Sequence, residues 1–292
     1  DKKSTKYEDH QCSSYDVEAC SWSNIPDEDF ALADDNHWTI GQFVWTGFDY
    51  LGEPSPYDTD AWPNHSSMFG IIDLASLPKD RYYLYRSVWN KDAETLHILP
   101  HWTWPGREGE VTPVFVYTNY PTAELFINGK SYGKQSKNNS SLKNRYRLMW
   151  MDAVYEPGEV KVVAYNKDGK AVAEKVVRTA GKPHHIELVS NRNELTADGK
   201  DLAYVTVKVV DKDGNLCPTD NRQINFSAKG TGKYRAAANG DPTNLEQFHL
   251  PKMHAFNGML TAIIQAGETA GEIVFTAKAN GVKAGNIRIQ TK

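Results

Sequence analysis

Short runs of alternating or continuous apolar residues dominate the middle of the chain, and this pattern predicts β-strands. In the segment from 96 to 183 the runs are 111–118, 123–128, 146–151, 159–165 and 171–177. Asn128-Gly129 and Lys167-Asp168-Gly169 are turn signals of the kind that join hairpin strands. Five strands in a segment of this length predict a β-sandwich.

The last third of the chain repeats this organisation after a plausible hinge at Gly181-Lys182-Pro183. The strand-like runs there are 186–190, 202–210, 223–228, 260–265, 271–277 and 282–289, which predict a second sandwich.

A long stretch from Ala236 to Gly258 has no clear strand period. Long loops with aromatic and polar side chains are usually functional or docked, so we expect it to pack against a neighbouring domain; a mobile surface loop is the alternative.

The first 95 residues follow a different pattern of helix, strand, long loop and helix. Pro26 with the acidic residues behind it predicts a helix that runs to about His37. The apolar run 40–45 predicts a short buried strand, and 49–69 is loop-like. Pro78-Lys79-Asp80 opens a second helix that ends near Trp89. This order is typical of the end of a βα repeat fold.

Composition narrows the class of protein. Apolar residues make up 40% of the chain, enough for real cores. No apolar run approaches the length of a transmembrane helix, so we expect no membrane span. The net charge of −4 gives no basic footprint for nucleic acid. The charge is uneven, because residues 1–95 hold 7 Lys/Arg against 18 Asp/Glu.

The three cysteines leave two alternatives open. Cys12 and Cys20 could form a disulfide in an oxidising compartment, or all three, with Cys217, could be free thiols. No Cys/His metal motif and no glycine-rich phosphate loop occurs in the sequence. We therefore expect neither a metal nor a cofactor.

The strongest chemical signal is a cluster of aromatic and acidic residues between Trp38 and Trp62. Aromatic faces stack on the C–H face of a sugar ring, and carboxylates accept hydrogen bonds from its hydroxyl groups. The alternative is a core strand followed by an acidic surface loop. The cluster comprises Trp38, Phe43, Trp45, Phe48, Asp49, Tyr50, Glu53, Tyr57, Asp58, Asp60 and Trp62.

Several motifs resemble known sequences. Residues 41–54, which include Trp45-Thr46-Gly47-Phe48-Asp49-Tyr50, together with 66–73 and 78–80, resemble the last βα unit of the glycoside hydrolase family 2 barrel, especially of β-galactosidase-like members. Residues 99–104 and 123–130 resemble the immunoglobulin-like domain that follows the barrel. Residues 195–199, 205–211 and 239–243 resemble a further, invasin-like C-terminal sandwich of the same enzymes.

The resemblance implies a mostly β fold, in which two immunoglobulin-like β-sandwiches follow the last α/β segment of a TIM barrel. The implied domains are 1–95, 96–183 and 184–292. It also implies a retaining glycosidase with two catalytic glutamates on earlier barrel strands. The family's acid/base follows an asparagine, and the only Asn-Glu pair here, Asn193-Glu194, lies in a predicted turn. We therefore expect no catalytic residue in this chain and a catalytic portion upstream of it.

Five residues are implied to bind substrate. Trp45 matches a tryptophan that lies against the sugar at the end of the last barrel strand. Asp49 and Glu53 follow on the same loop and either contact hydroxyl groups or only cap the loop. Members that act on glucuronides carry Asn-x-Lys before the glycine that matches Gly70, whereas this chain has Ser67 to Phe69 there. The lack of that lysine favours a neutral sugar.

The implied partners are a carbohydrate substrate and the N-terminal catalytic portion of the same enzyme, and a homo-oligomer is left open. The family implies a periplasmic or secreted bacterial location. The alternative function is a non-catalytic carbohydrate-binding, structural or adhesive module built on the sandwiches. In that case Trp102 and Trp104 would form a stacking platform, unless they belong to a core.

Overall fold

A computed structural model describes residues 14–19, 22–54 and 62–292, which fall into two compact units. The first comprises residues up to Ile72 together with Pro78–Thr179, and the second comprises Asp73–Leu77 together with Ala180–Lys292. The predicted hinge therefore lies next to the boundary between the units. Cys12 and Cys20 lie outside the described residues, and Cys217 is a buried free thiol. No helix within the described ranges is long and apolar enough to cross a membrane.

Two helices form where the sequence predicts them, α1 at Pro26–Asp35 and α2 at Asp80–Trp89. Proline in the first turn and the acidic residues behind it favour the start of α1, because carboxylates interact well with the positive end of a helix dipole. Both helices bury apolar side chains against the following sandwich. The shared core consists of Phe30, Ala31, Leu84, Tyr85, Leu99, Phe115, Tyr117 and Tyr146.

A buried ion pair reinforces this packing. The side chains of Arg147 and Asp27 are both fully buried. The Nε of Arg147 donates to Oδ1 of Asp27 at 2.8 Å, and a second guanidinium nitrogen contacts Oδ2. The guanidinium also donates to the backbone oxygens of Tyr15 at 2.6 Å and Asp16 at 2.9 Å. Each charge is therefore paired and hydrogen-bonded, which is the condition for burying it.

The prediction of a buried strand at residues 40–45 is wrong. The segment has no regular secondary structure, and the side chains of Ile40 and Phe43 are fully exposed. A β-strand needs a hydrogen-bonded neighbour to satisfy its backbone groups. Within the part of the chain that the structure describes, no sheet includes this segment.

The first sandwich consists of two sheets with strand orders β1-β2-β5 and β4-β3-β6-β7, and its core lies between them. Trp102 is fully buried in this core, so the platform suggested for it is not formed. A short helix, α3 (Leu142–Tyr146), precedes β5. The strands are β1 (Leu96–Leu99), β2 (Val114–Thr118), β3 (Thr122–Ile127), β4 (Lys130–Ser136), β5 (Leu148–Trp150), β6 (Glu159–Tyr165) and β7 (Ala171–Arg178).

The second sandwich has sheets of order β12-β14-β10-β8 and β13-β11-β15-β16-β9. Apolar side chains from both sheets, such as Val205 and Ile273, meet in one core. All strand pairs are antiparallel except β9 with β16. The strands are β8 (His185–Ser190), β9 (Glu194–Leu195), β10 (Leu202–Val210), β11 (Gln223–Gly230), β12 (Gly232–Ala238), β13 (Lys252–His254), β14 (Met259–Ala266), β15 (Gly271–Lys278) and β16 (Gly285–Thr291).

The stretch from Ala236 to Gly258 is shorter as a loop than expected, because β12 and β13 occupy parts of it. The remainder is fixed by hydrogen bonds within the second unit. The Tyr234 hydroxyl donates to the carbonyl oxygen of Leu250 at 2.7 Å and lies 3.2 Å from that of Phe248. The buried Asn239 amide donates to the carbonyl oxygen of His254 at 2.9 Å. These hydrogen bonds hold the loop on its own unit, and its packing against a neighbouring domain stays a prediction.

Candidate substrate-binding site

Two segments of the first unit, 46–51 and 66–72, lie side by side and form the frame of the candidate site. Backbone hydrogen bonds join Ile71 N to Thr46 O at 3.1 Å, and Asp49 N to Ile72 O at 2.9 Å. Isolated β-bridges pair Phe48 with Ile72 and Leu51 with Ser66. The short pairing holds the loop after Trp45 against the chain that precedes α2.

Gly70 makes this close approach possible. A Cβ atom at this position would collide with the backbone of Phe48, Asp49 and Ile72. The Gly70 amide donates to Oδ1 of Asp49 at 2.8 Å. Only glycine leaves room for the two segments to meet here.

Trp45 presents its ring to solvent at the edge of this frame. The side chain is 73% exposed, and its Nε1 donates to the hydroxyl oxygen of Tyr50 at 3.1 Å. The two rings meet edge to face, with centroids 6.1 Å apart. The Tyr50 hydroxyl in turn donates to Oε2 of Glu53. The sequence-predicted residues Trp45 and Glu53 are thus connected through Tyr50.

Asp49 is buried and has its two oxygens engaged. Oδ1 accepts from Gly70, and Oδ2 forms an ion pair with Lys79 Nζ at 2.6 Å. Burial raises the pKa of the Asp49 carboxyl, and the Lys79 ammonium opposes that rise. Of the two roles considered for Asp49, this geometry supports the loop cap, since its oxygens already have partners inside the protein.

Ser67 and Phe69 line the inner side of the frame. Ser67 is fully buried, and its Oγ accepts from the backbone N of Tyr50 at 3.2 Å. The Ser67 amide donates to Tyr50 O at 2.8 Å. Phe69 is half-buried, and its carbonyl accepts from Thr46 N at 3.4 Å. Ser67 therefore clamps the backbone of Tyr50 and does not face solvent.

Two residues that sequence reasoning left without a role connect the site. Tyr50 belongs to the aromatic and acidic cluster noted in the sequence, but its link between Trp45 and Glu53 needed the fold of the loop. Lys79 belongs to the Pro-Lys-Asp motif, and its Nζ also donates to Met68 O at 3.3 Å. No group of three or more metal-ligating side chains is found in the described ranges.

The comparisons with known proteins support the resemblance. Residues 186–288 match the model of glycoside hydrolase family 2 C-terminal domain 5, and residues 109–173 match a domain of unknown function, DUF4982. The chain is 44% identical to β-galactosidase BoGH2A of Bacteroides ovatus over 96% of its own length and 32% of that protein. This chain is a C-terminal region of a glycoside hydrolase family 2 protein.

Further relatives of this family 2 region are named β-glucuronidase or β-glycosidase. A putative β-glucuronidase of Formosa agariphila is 36% identical over 71% of this chain and 20% of that protein. The crystal structure of a β-glycosidase from Bacteroides vulgatus aligns with a TM-score of 0.86 and 32% identity, covering 96% of this chain and 34% of that one. The chain thus spans about a third of the length of BoGH2A and of the Bacteroides vulgatus β-glycosidase, and about a fifth of the Formosa agariphila protein.

Proposed function

We propose that the whole protein to which this family 2 region belongs is a retaining, β-galactosidase-like glycosidase that hydrolyses neutral β-linked glycosides. The observation that carries the proposal is the exposed Trp45 ring, which is tethered at the edge of the paired segments. An exposed indole face fits the C–H face of a sugar ring. In this proposal the two catalytic glutamates lie in an upstream portion, and this chain contributes the rim of the sugar site.

The choice of a neutral sugar follows from the charges around the site. Residues 45–72 contain no lysine or arginine. The ammonium group of Lys79, which contacts the frame, is paired with the buried Asp49 carboxylate. Recognition of a glucuronide requires a cation for its carboxylate, and this loop supplies none. Glu53, which is exposed beside Trp45, would also repel an acidic sugar.

In the same proposal, the exposed apolar side chains before and after Trp45 are covered by another part of the whole protein. An exposed apolar patch of this kind marks an interaction surface, and the occupant we propose is the upstream part of a TIM barrel. The backbone groups of residues 40–45, which no sheet of the described chain includes, would then find hydrogen-bond partners in that part of the barrel. The patch comprises Trp38, Ile40, Phe43, Phe48 and Leu51.

The two sandwiches would be accessory domains of the immunoglobulin-like kind, and the family favours a periplasmic or secreted location. The location is tested by fractionating cells of the source bacterium and probing each fraction with an antibody against this chain. Recovery from the cytoplasm alone would contradict it.

The activity is tested on the whole protein with nitrophenyl β-galactoside and nitrophenyl β-glucuronide. We expect turnover of the galactoside to exceed that of the glucuronide. The 292-residue chain alone should give no turnover above that of its Trp45→Ala variant, because it lacks both catalytic glutamates. Preference for the glucuronide would contradict the neutral sugar, and turnover by the chain alone would contradict the upstream position of the catalytic pair.

A further inference from the structure

The orientation of the Trp45 ring is not set by packing. Most of its surface faces solvent, and an exposed side chain normally samples several staggered rotamers. In this structure one directional contact fixes it, the hydrogen bond from Nε1 to the Tyr50 hydroxyl at 3.1 Å. The indole N–H is a donor only, so this bond specifies which edge of the ring points toward Tyr50.

The Tyr50 hydroxyl can serve Trp45 and Glu53 at the same time. A phenol has one proton to donate and two lone pairs to accept with. Its proton goes to Oε2 of Glu53, which leaves a lone pair for the indole. The hydrogen bond to Glu53 also raises the pKa of Tyr50 above its ordinary value.

Tyr50 is anchored in turn to the interior of the frame. Its backbone N–H donates to Ser67 Oγ at 3.2 Å, and its carbonyl accepts from the Ser67 amide at 2.8 Å. Ser67 is fully buried. A continuous series of hydrogen bonds therefore runs from the interior through Tyr50 to the exposed ring.

We propose that Tyr50 and Glu53 are positioning residues, which hold the Trp45 indole in the orientation that receives the sugar. The inference rests on the sugar contact proposed above for Trp45. A ring that is already oriented binds with a smaller loss of conformational entropy. Removing the hydroxyl should therefore weaken substrate binding without removing the stacking surface.

Four variants separate positioning from a general effect on the fold. Tyr50→Phe removes the hydroxyl, Glu53→Ala removes its acceptor, and Glu53→Gln keeps an oxygen that can accept from Tyr50. Tyr165→Phe is the matched control, because the Tyr165 hydroxyl donates to Glu124 Oε2 at 3.0 Å in the first sandwich. The control deletes the same kind of hydrogen bond at a site without Trp45.

The first readout is the indole N–H resonance of Trp45 in the 292-residue chain, assigned with Trp45→Phe. We expect Tyr50→Phe and Glu53→Ala to displace or broaden it, and Glu53→Gln and Tyr165→Phe to leave it near the wild-type position. In the whole protein, Tyr50→Phe should lower kcat/KM about three- to tenfold, the size of one neutral hydrogen bond. Most of the loss should appear in KM.

An unchanged Trp45 resonance in Tyr50→Phe would overturn the positioning role, whatever the activity. An equal response to Tyr165→Phe would overturn it as well. The sugar contact fails separately, if Trp45→Ala leaves kcat/KM of the whole protein unchanged. In that case a displaced resonance in Tyr50→Phe would still show that Tyr50 orients the ring, but not for sugar binding.

Discussion

Helices α1 and α2 and the segment from Trp38 to Leu51 belong to the same stretch of sequence, yet several of their large apolar side chains lie in opposite environments. Phe30 and Leu84 of the helices are fully buried against the first sandwich, whereas Phe43 is fully exposed. Both regions are rich in aromatic residues. Composition therefore supplies apolar surface, and the presence of a partner surface decides whether that surface is buried.

The sequence also predicts that residues 1–95 form the least stable part of the chain, and this stays a prediction. The helices share a core and a buried ion pair with the first sandwich. Within the described part of this range, we expect the lowest local stability between Trp38 and Leu51, where several large apolar side chains are exposed.

The largest effect is expected from Asp27→Ala, which leaves the Arg147 guanidinium buried without its counter-ion. Such a loss costs about 3–5 kcal/mol of unfolding free energy, which urea denaturation of the 292-residue chain would measure. The control is Asp35→Ala, because Asp35 pairs with Arg145 at the exposed end of the same helix at 2.8 Å. That variant should unfold almost as the wild type does. Equal effects of the two substitutions would mean that burial of the pair is irrelevant.

The next test truncates one apolar side chain to alanine in each of the two regions. Leu84→Ala should cost about 2–5 kcal/mol, because it opens a cavity in a closed core. Phe43→Ala should change the stability of this chain by less than about 0.5 kcal/mol, since its ring has no packing to lose. In the whole protein, Phe43→Ala should become clearly destabilising if upstream barrel strands cover this segment. Thermal unfolding of both forms would show whether that difference exists.

A smaller effect is expected from Trp45→Ala, and it should appear in activity. Loss of one stacking ring costs about 1–3 kcal/mol by analogy with base–aromatic stacking, or roughly ten- to a hundredfold in kcat/KM of the whole protein. The melting temperature of the 292-residue chain should not change, because the ring is exposed. A large fall in melting temperature with unchanged activity per folded molecule would place Trp45 in a core.

The smallest effect is expected from lowering the pH, through a half-buried histidine of the first unit. His101 follows β1, its ring stacks on Trp104 with centroids 4.0 Å apart, and burial lowers its pKa to about 4. An unfolded histidine takes up its proton near pH 6.5. The contribution to stability is therefore complete above pH 6.5 and is lost as the pH falls from 6.5 to 4.

His101→Phe keeps a ring beside Trp104 but cannot be charged. We expect its melting temperature to fall less than that of the wild type between pH 6.5 and 4, by a difference on the order of a few degrees. The indole resonance of Trp45, in the exposed region, should not follow this titration. Parallel melting curves for the two proteins would contradict the assignment of the pH effect to His101.

The sequence predicts most of the fold because its strands have clear patterns. The runs at 159–165 and 202–210 match β6 and β10 residue for residue. Strand β4 was missed because it is an exposed edge strand of mainly polar residues with a glycine inside. The strand at 40–45 was predicted from apolarity alone, and apolarity does not reveal whether neighbouring strands are present.

The candidate site was only partly accessible to the same reasoning. A family motif pointed to Trp45, but the hydrogen bonds of Tyr50 and the Asp49–Lys79 pair depend on where the loop returns to the segment before α2. The Arg147–Asp27 pair is another such case, because its members lie 120 positions apart. No periodicity in a sequence reports a contact of that kind.

The Arg147–Asp27 pair also determines how the molecule can be dissected. A cut between residues 95 and 96 follows the boundary of sequence motifs, but it would strip the sandwich of the only buried carboxylate that the structure shows paired with Arg147. The isolated 96–292 fragment would expose this guanidinium, which lies 5.6 Å from the ring centroid of Tyr117, together with the apolar surface that α1 and α2 cover. Expression trials that respect this chemistry would begin the fragment before α1 and not after α2.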